Sequence, residues 1–188
     1  MLKQIKQRLG RDDEQGFTLI ELMVVVLIIA ILLAIAIPTF LGAKSTANAR
    51  GAQSSLRNAL TAEHAYFTNN NQTFGTSSSS PAMSSIEPNL TWLGAVPAQI
   101  APNSVYAATL DSGLQVELMS WAKDNNCYII VQNNDPNVTP TGGNTGYAVQ
   151  KGGCSGITAI TTFPTTINTG NASGSASATS GGTFYTAW

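Results

Sequence analysis

A continuous apolar segment near the N-terminus constrains this chain more than any other feature of its sequence. The segment runs from Phe17 to Ile37 (FTLIELMVVVLIIAILLAIAI) and contains a single charged residue, Glu21. At a helical rise of about 1.5 Å per residue, a segment of this length spans the roughly 30 Å hydrocarbon core of a bilayer. The sequence therefore predicts a membrane-spanning helix over residues 17–37.

The charged residues are distributed unevenly around this segment. Only 10% of all residues are charged, against roughly 25% in ordinary soluble proteins. Seven of them precede the segment: Lys3, Lys6, Arg8, Arg11, Asp12, Asp13 and Glu14. Basic residues that flank a span stay on the cytoplasmic side, so we expect the rest of the chain to lie outside the cell membrane. A net charge of −1 gives no electrostatic reason to expect nucleic-acid binding by the bulk surface.

The apolar segment is followed by a second helical pattern. Between Thr39 and Phe67, small and apolar residues recur every three or four positions, and polar residues such as Glu63 lie between them. This spacing predicts an amphipathic helix with a single buried stripe. Pro38 stands between the two patterns, and a proline inside a long helix can kink the helix without ending it. We therefore expect one helix over residues 17–68, ending at the Asn69-Asn70-Asn71 cluster.

The remainder of the chain has the signals of a small antiparallel sheet. Residues 104–110, 114–121 and 127–132 have strand composition, with turn residues between them. Residues 146–150 and 157–163 are candidate fourth and fifth strands, and short turns favour antiparallel hairpins. The fold class is therefore α+β, with a long N-terminal helix packed on this sheet. The predicted regions are a leader (1–16), the helix (17–68), a loop (69–103), the sheet (104–163) and a Gly/Ser/Thr-rich tail (164–188). We expect this tail to be flexible or loosely packed, with Phe184, Tyr185 and Trp188 pinning its end back onto the domain.

The two cysteines lie in the predicted exported part of the chain. Cys127 and Cys154 are an even pair, which indicates a disulfide outside the cytoplasm, although two unpaired buried thiols would also fit the sequence. Two cysteines and a single histidine do not make a zinc site. The sequence contains no nucleophile–base pair, phosphate-binding loop or metal cluster, so we expect neither a cofactor nor enzymatic activity.

The junction EQGFTLIE joins the charged leader to the apolar segment. An ionised carboxylate within a membrane costs roughly 2.5–3.5 kcal/mol, so Glu21 is expected to have a partner and a function. Cleavage between Gly16 and Phe17 would create an α-amino group one helical turn before Glu21. That amine, from the same chain or from a neighbour, is a natural counter-charge for the carboxylate.

These residues resemble the type IV pilin family. Gly16 followed by Phe17-Thr-Leu-Ile-Glu21 is similar to the prepilin peptidase motif, and Pro38 falls where many pilins carry a helix-distorting proline. The resemblance implies cleavage after Gly16, methylation of the Phe17 amine, and pairing of Glu21 with the Phe17 amine of an adjacent subunit. It also implies that identical copies polymerise through the helix into a pilus for adhesion, twitching motility or DNA uptake.

The resemblance also implies the partners of the chain and its location. The prepilin peptidase would process it, and an assembly platform with ATPase motors would act on it. Before assembly the precursor would be a single-pass protein of the cytoplasmic membrane, and afterwards part of a surface pilus, with a host surface or DNA as its ligand.

Three other interpretations fit parts of the sequence. A pseudopilin of a type II secretion system has the same N-terminal features, but its major subunit usually carries a calcium-binding loop that this sequence does not show. A secretory signal would use the A-x-A pattern at residues 34–36, although the apolar segment is longer than the 7–15 residues usual for a signal. A solitary membrane-anchored β domain that binds a ligand would leave the GFTLIE junction unexplained.

Overall fold

The structure is a computed structural model of the full chain. The structure describes residues 16–79, 82–101, 103–110, 113–137, 144–154, 157, 167–171 and 184–188, and for residues 167–171 it describes the backbone alone. The chain divides into two compact units, Met1–Ala43 and Lys44–Trp188. Helix α1, Leu19–Asn69, contributes residues to both units.

The described part of the first unit is the apolar half of α1. Its large apolar side chains, from Phe17 to Leu41, are all exposed. Among the described residues, α1 is the one helix that is long and apolar enough to cross a membrane. Pro38 lies inside the helix without ending it. The hydroxyl of the next residue, Thr39, donates hydrogen bonds to the carbonyls of Ile35 (3.3 Å) and Ala36 (2.9 Å).

The second unit contains the remaining part of α1 and a seven-stranded sheet. A four-residue helix, α2 (Met83–Ile86), precedes the first strand. The strands are β1 (Thr91–Leu93), β2 (Ser104–Leu110), β3 (Gln115–Trp121), β4 (Asn126–Asn133), β5 (Asn144–Lys151), β6 (Ile167–Asn171) and β7 (Phe184–Ala187). Their order in the sheet is β1-β2-β3-β4-β5-β7-β6. Strands β2 to β5 and the β5–β7 pair are antiparallel, whereas β1–β2 and β6–β7 are parallel.

One face of the sheet packs against α1. Alternate residues of the central strands, including Leu118 and Ile130, form a core with Leu56 and Ala59 of the helix. Because successive side chains of a strand point to opposite faces, one helix stripe and one strand face build this core. The α+β fold predicted from the sequence, a long helix on a mostly antiparallel sheet, is confirmed.

The opposite face of the sheet is also covered. Met119, Ile129 and Val131 form a second core with Cys154, Ile157 and Phe184 from the C-terminal part of the chain. Six of the seven residues of β3 and seven of the eight residues of β4 are consequently buried. Both faces of these strands are therefore covered, because C-terminal segments close the outer face.

Two regions that the sequence assigned to loop and tail contain regular structure. The predicted loop over residues 69–103 includes α2 and β1, and the predicted tail over residues 164–188 includes β6 and β7. The composition of the tail did not predict these two strands, whereas the burial of Phe184 agrees with the expected pinning of the C-terminus. Trp188 follows β7, and its ring centroid lies 4.7 Å from that of Tyr147. Apart from Ile157, which is not in a strand, the predicted fifth strand over residues 157–163 lies outside the described residues.

The helix buries a wider stripe than its sequence predicts. Ala62 and Tyr66 pack against Met83 of α2 in a third core, beside the stripe that meets the sheet. Glu63, predicted to lie among the exposed polar residues, is 0% exposed. Its Oε2 accepts the backbone N–H of Gly75 at 2.8 Å, and burial raises the pKa of this carboxyl to about 8, against the effect of that hydrogen bond.

Candidate processing and assembly site

Gly16 and Phe17, the residues on either side of the predicted cleavage point, precede the first turn of α1 and are exposed. A β-carbon placed on Gly16 would meet no atom within 4 Å. The side chain of Phe17 is 89% exposed. Both residues that flank the predicted cleavage point are therefore exposed.

Thr18 and Glu21 form a capping box at the start of α1. The N–H of Thr18 donates to Glu21 Oε2 at 2.9 Å, and the N–H of Glu21 donates to Thr18 Oγ1 at 3.2 Å. The hydroxyl of Thr18 also donates to Oε2, at 2.7 Å. These reciprocal bonds satisfy donors that a helix N-terminus otherwise leaves unpaired. The T-x-x-E spacing of residues 18–21 signals this arrangement in the sequence, but Thr18 was not among the predicted site residues.

The capping box uses only one of the two carboxylate oxygens. All three hydrogen bonds involve Oε2 or the backbone N–H of Glu21, and Oε1 accepts none from the described residues. A carboxylate has about four acceptor positions. Glu21 can therefore cap its own helix and accept a donor from outside the chain at the same time.

The helix that follows presents apolar side chains all around its circumference. Each large apolar residue from Phe17 to Leu41 is between 49% and 89% exposed. Exposed apolar surface of this extent is typical of a membrane or protein contact and not of a helix in water. Within this stretch, Glu21 is the only charged residue.

Residues 11–37 match the prokaryotic N-terminal methylation motif. The chain carries the class III signal of type IV pilins. It is therefore a precursor of the type IV pilin-like or pseudopilin kind, and its helix fits a membrane-anchored state. This signal indicates a structural protein. A comparison with curated proteins gives no match to the chain.

The other predicted site residues lie outside this signal. Pro38 follows its last residue directly. Cys127 at the start of β4 and Cys154 after β5 are buried and joined by a disulfide. This bond ties the central sheet to the C-terminal segment that covers its outer face. Among the described residues, no group of three or more His, Cys, Asp or Glu side chains could hold a metal ion.

Proposed function

We propose that the chain is a structural subunit of a type IV pilus, released from its leader after Gly16 and polymerised through α1. The observation that carries this proposal is the pilin-type signal, followed directly by a helix whose apolar side chains are exposed on all sides. Lipid accommodates such a helix before assembly. The helices of identical neighbours would replace that lipid in a filament, because apolar helices pack with one another as they pack with lipid tails.

Glu21 would select the docking position of each new subunit. Cleavage exposes the α-amino group of Phe17, and methylation of this amine leaves it cationic. A subunit whose Glu21 accepts the amine of a neighbour at Oε1 would neutralise both charges in an apolar surrounding, where an isolated charge is costly. The capping bonds to Thr18 hold the carboxylate at the start of the helix, so its position is fixed before the neighbour arrives.

The proposal includes the partners and the location of the chain. A prepilin peptidase would cleave and methylate it, and an assembly platform driven by ATPase motors would extract it from the membrane. The second unit would form the outer surface of an extracellular filament used for adhesion, twitching motility or DNA uptake. The disulfide in this unit supports an oxidising location outside the cytoplasm.

Two substitutions of Glu21 separate its charge from its capping role. Glutamine at this position can still complete a capping box but carries no charge, whereas alanine removes both functions. We expect E21A and E21Q to be cleaved like the wild type and both to abolish filaments. Normal filaments from E21Q would refute the charge pairing and leave capping as the role of Glu21.

The matched processing variant is Gly16→Leu. It should leave the leader attached, as seen by a larger subunit on an immunoblot, and it should block filament formation at an earlier step. Subunits that are cleaved normally but appear only in short periplasmic assemblies, with no surface filament, would instead assign the chain to the pseudopilins.

A further inference from the structure

Four of the five basic residues of the second unit lie toward one of its ends. Five basic residues follow Gly16: Lys44, Arg50, Arg57, Lys123 and Lys151. Lys123 lies in the turn between β3 and β4, and Lys151 pairs in register with Asn126 beside that turn. The N–H of Gly152 donates to the carbonyl of Asn125 in the same turn, at 3.0 Å. The end of the sheet that carries this turn therefore holds two lysines close together.

Asp124, the acidic residue in this turn, already accepts hydrogen bonds from neighbouring side chains. Asp124 Oδ2 accepts the hydroxyl of Tyr128 at 2.8 Å and the Asn126 side-chain amide at 2.9 Å. Burial and Asp124 raise the pKa of Tyr128, and the charge of Arg50 opposes this rise, so Arg50 lies within electrostatic reach of the same turn. Within the part of the chain that the structure describes, Lys123 and the three other basic residues of this end, Lys44, Arg50 and Lys151, form no ion pair. All four are exposed.

A small recess of about 170 Å³ opens beside Lys123. Asn48, Asn103 and Ser120 also line it. Ser120 is only 2% exposed, and its hydroxyl makes no hydrogen bond with the described residues. The ammonium of Lys123 donates hydrogen bonds and accepts none, so it suits an acceptor-rich group such as a phosphodiester.

The helix residues beside the recess follow shortly after the apolar segment in the sequence. The recess is lined by helix residues between Ala47 and Ala52, and the first unit ends at Ala43. When the apolar segment spans the bilayer, the next few residues must lie at the headgroup level. The half-buried Trp121, which also lines the recess, is a residue type enriched at that level.

We propose that this basic end docks on anionic phospholipid headgroups of the membrane that holds the precursor, with a lipid phosphate beside Lys123. The inference rests on the membrane-anchored state and not on filament assembly. Basic residues next to an anionic surface contribute about 1 kcal/mol each. The contact would hold the second unit against the bilayer until extraction, and it would be lost in the filament.

The test uses the full-length precursor in lipid nanodiscs and reads amide hydrogen exchange in residues 44–52 and 121–126. One disc contains phosphatidylcholine alone, and in the other about a third of the lipid is phosphatidylglycerol. We expect slower exchange in the anionic disc at about 0.1 M salt and no difference at about 1 M salt, where the Debye length falls to about 3 Å. K123Q should reduce the protection about fivefold. R57Q removes one positive charge elsewhere in the same unit and should leave the protection unchanged.

Each other result overturns the inference. Equal exchange in the two discs would show that the headgroup charge is not recognised. Equal losses of protection in K123Q and R57Q would show that the contact depends on net charge and not on the position of Lys123. Protection by duplex DNA in the neutral disc, without protection by anionic lipid, would assign the lysines to nucleic acid. Failure of the precursor to insert into either disc would contradict the membrane-anchored state on which the inference rests. Loss of filaments in cells would instead bear only on the proposed function.

Discussion

Gly152 and Gly153 offer a sharp test of the packing between β5 and the disulfide. Both glycines have left-handed backbone conformations, with φ of +86° and +87°. A β-carbon on Gly152 would meet no atom within 4 Å. A β-carbon on Gly153 would lie 2.7 Å from Nε1 of Trp121 and closer still to the Cζ2 and Cε2 atoms of the ring. The two alanine variants therefore share the backbone strain and differ in the steric clash.

The expected losses of stability follow from the backbone strain and the steric clash. A left-handed conformation costs a non-glycine residue about 1–2 kcal/mol, and the loss of glycine's freedom in the unfolded chain offsets about 0.4–1 kcal/mol of this. We expect Gly152→Ala to cost about 1 kcal/mol. Gly153→Ala must also displace the Trp121 indole, which adds about 1–3 kcal/mol of overpacking. Displacement also breaks the 3.2 Å hydrogen bond from Trp121 Nε1 to Asn125 Oδ1, worth about 1 kcal/mol.

Amide hydrogen exchange of β4 in detergent-solubilised precursor measures this difference. β4 lies in the middle of the sheet, and its slowest amides exchange through global opening of the unit. Gly153→Ala should accelerate their exchange at least about thirtyfold more than Gly152→Ala does, which corresponds to an additional cost of about 2–4 kcal/mol. Equal acceleration by both variants would refute the close approach of Gly153 to the indole.

Two further predictions concern the buried polar and aromatic groups of the second unit. The carboxyl of Glu63 keeps its proton to about pH 8 when folded but loses it near pH 4.5 when unfolded, so the free energy of unfolding should fall by about 1.4 kcal/mol per pH unit between about pH 5 and 8. Glu63→Gln should remove this slope, and an unchanged slope in denaturant titrations would contradict the burial of the carboxyl. Trp188→Ala removes the ring that packs on Tyr147 and the guanidinium of Arg57. It should cost about 1–3 kcal/mol and accelerate hydrogen exchange in β7, and unchanged exchange there would contradict the docking of the C-terminus.

The central strands could be predicted from the sequence because their signals are local. Residues 104–110 form β2 as predicted, and β3 to β5 differ from the predicted ranges by at most two residues at either end. Alternating apolar residues and short polar turns specify each of these hairpins without reference to the rest of the chain. The apolar length of residues 17–37 specified the first half of the helix in the same way.

The elements that the sequence did not predict are held in place by residues far away in the chain. β6 and β7 arise in a segment rich in glycine, serine and threonine, and β7 is held by its pairing with β5 and by the burial of Phe184. β1 has only three residues and pairs in parallel with β2. The carboxylate of Glu63 accepts the N–H of Gly75 from the segment that follows the helix, and α2 adds a second packing surface to the helix beside it. None of these interactions leaves a periodic pattern in the local sequence.

The sequence predicted residues of the candidate site but not the hydrogen bonds between Thr18 and Glu21. Gly16, Phe17 and Glu21 follow from the junction between the charged leader and the apolar segment, and the structure leaves the first two exposed. Their roles in cleavage, methylation and assembly stay predictions. The capping bonds between Thr18 and Glu21 add a reason for the position of the carboxylate that electrostatics alone does not supply.

The N-terminus of the subunit in sheared surface filaments reports cleavage and methylation in one measurement. N-terminal peptide analysis should find a chain that begins at Phe17 and whose N-terminal peptide is heavier, by the CH2 that one methylation adds, than the unmodified peptide. Surface filaments built from this form would establish cleavage after Gly16, methylation and assembly together. A mature chain that begins after Ala36, at the alternative signal-peptidase pattern, would lack Glu21 and most of the apolar helix and would contradict the account.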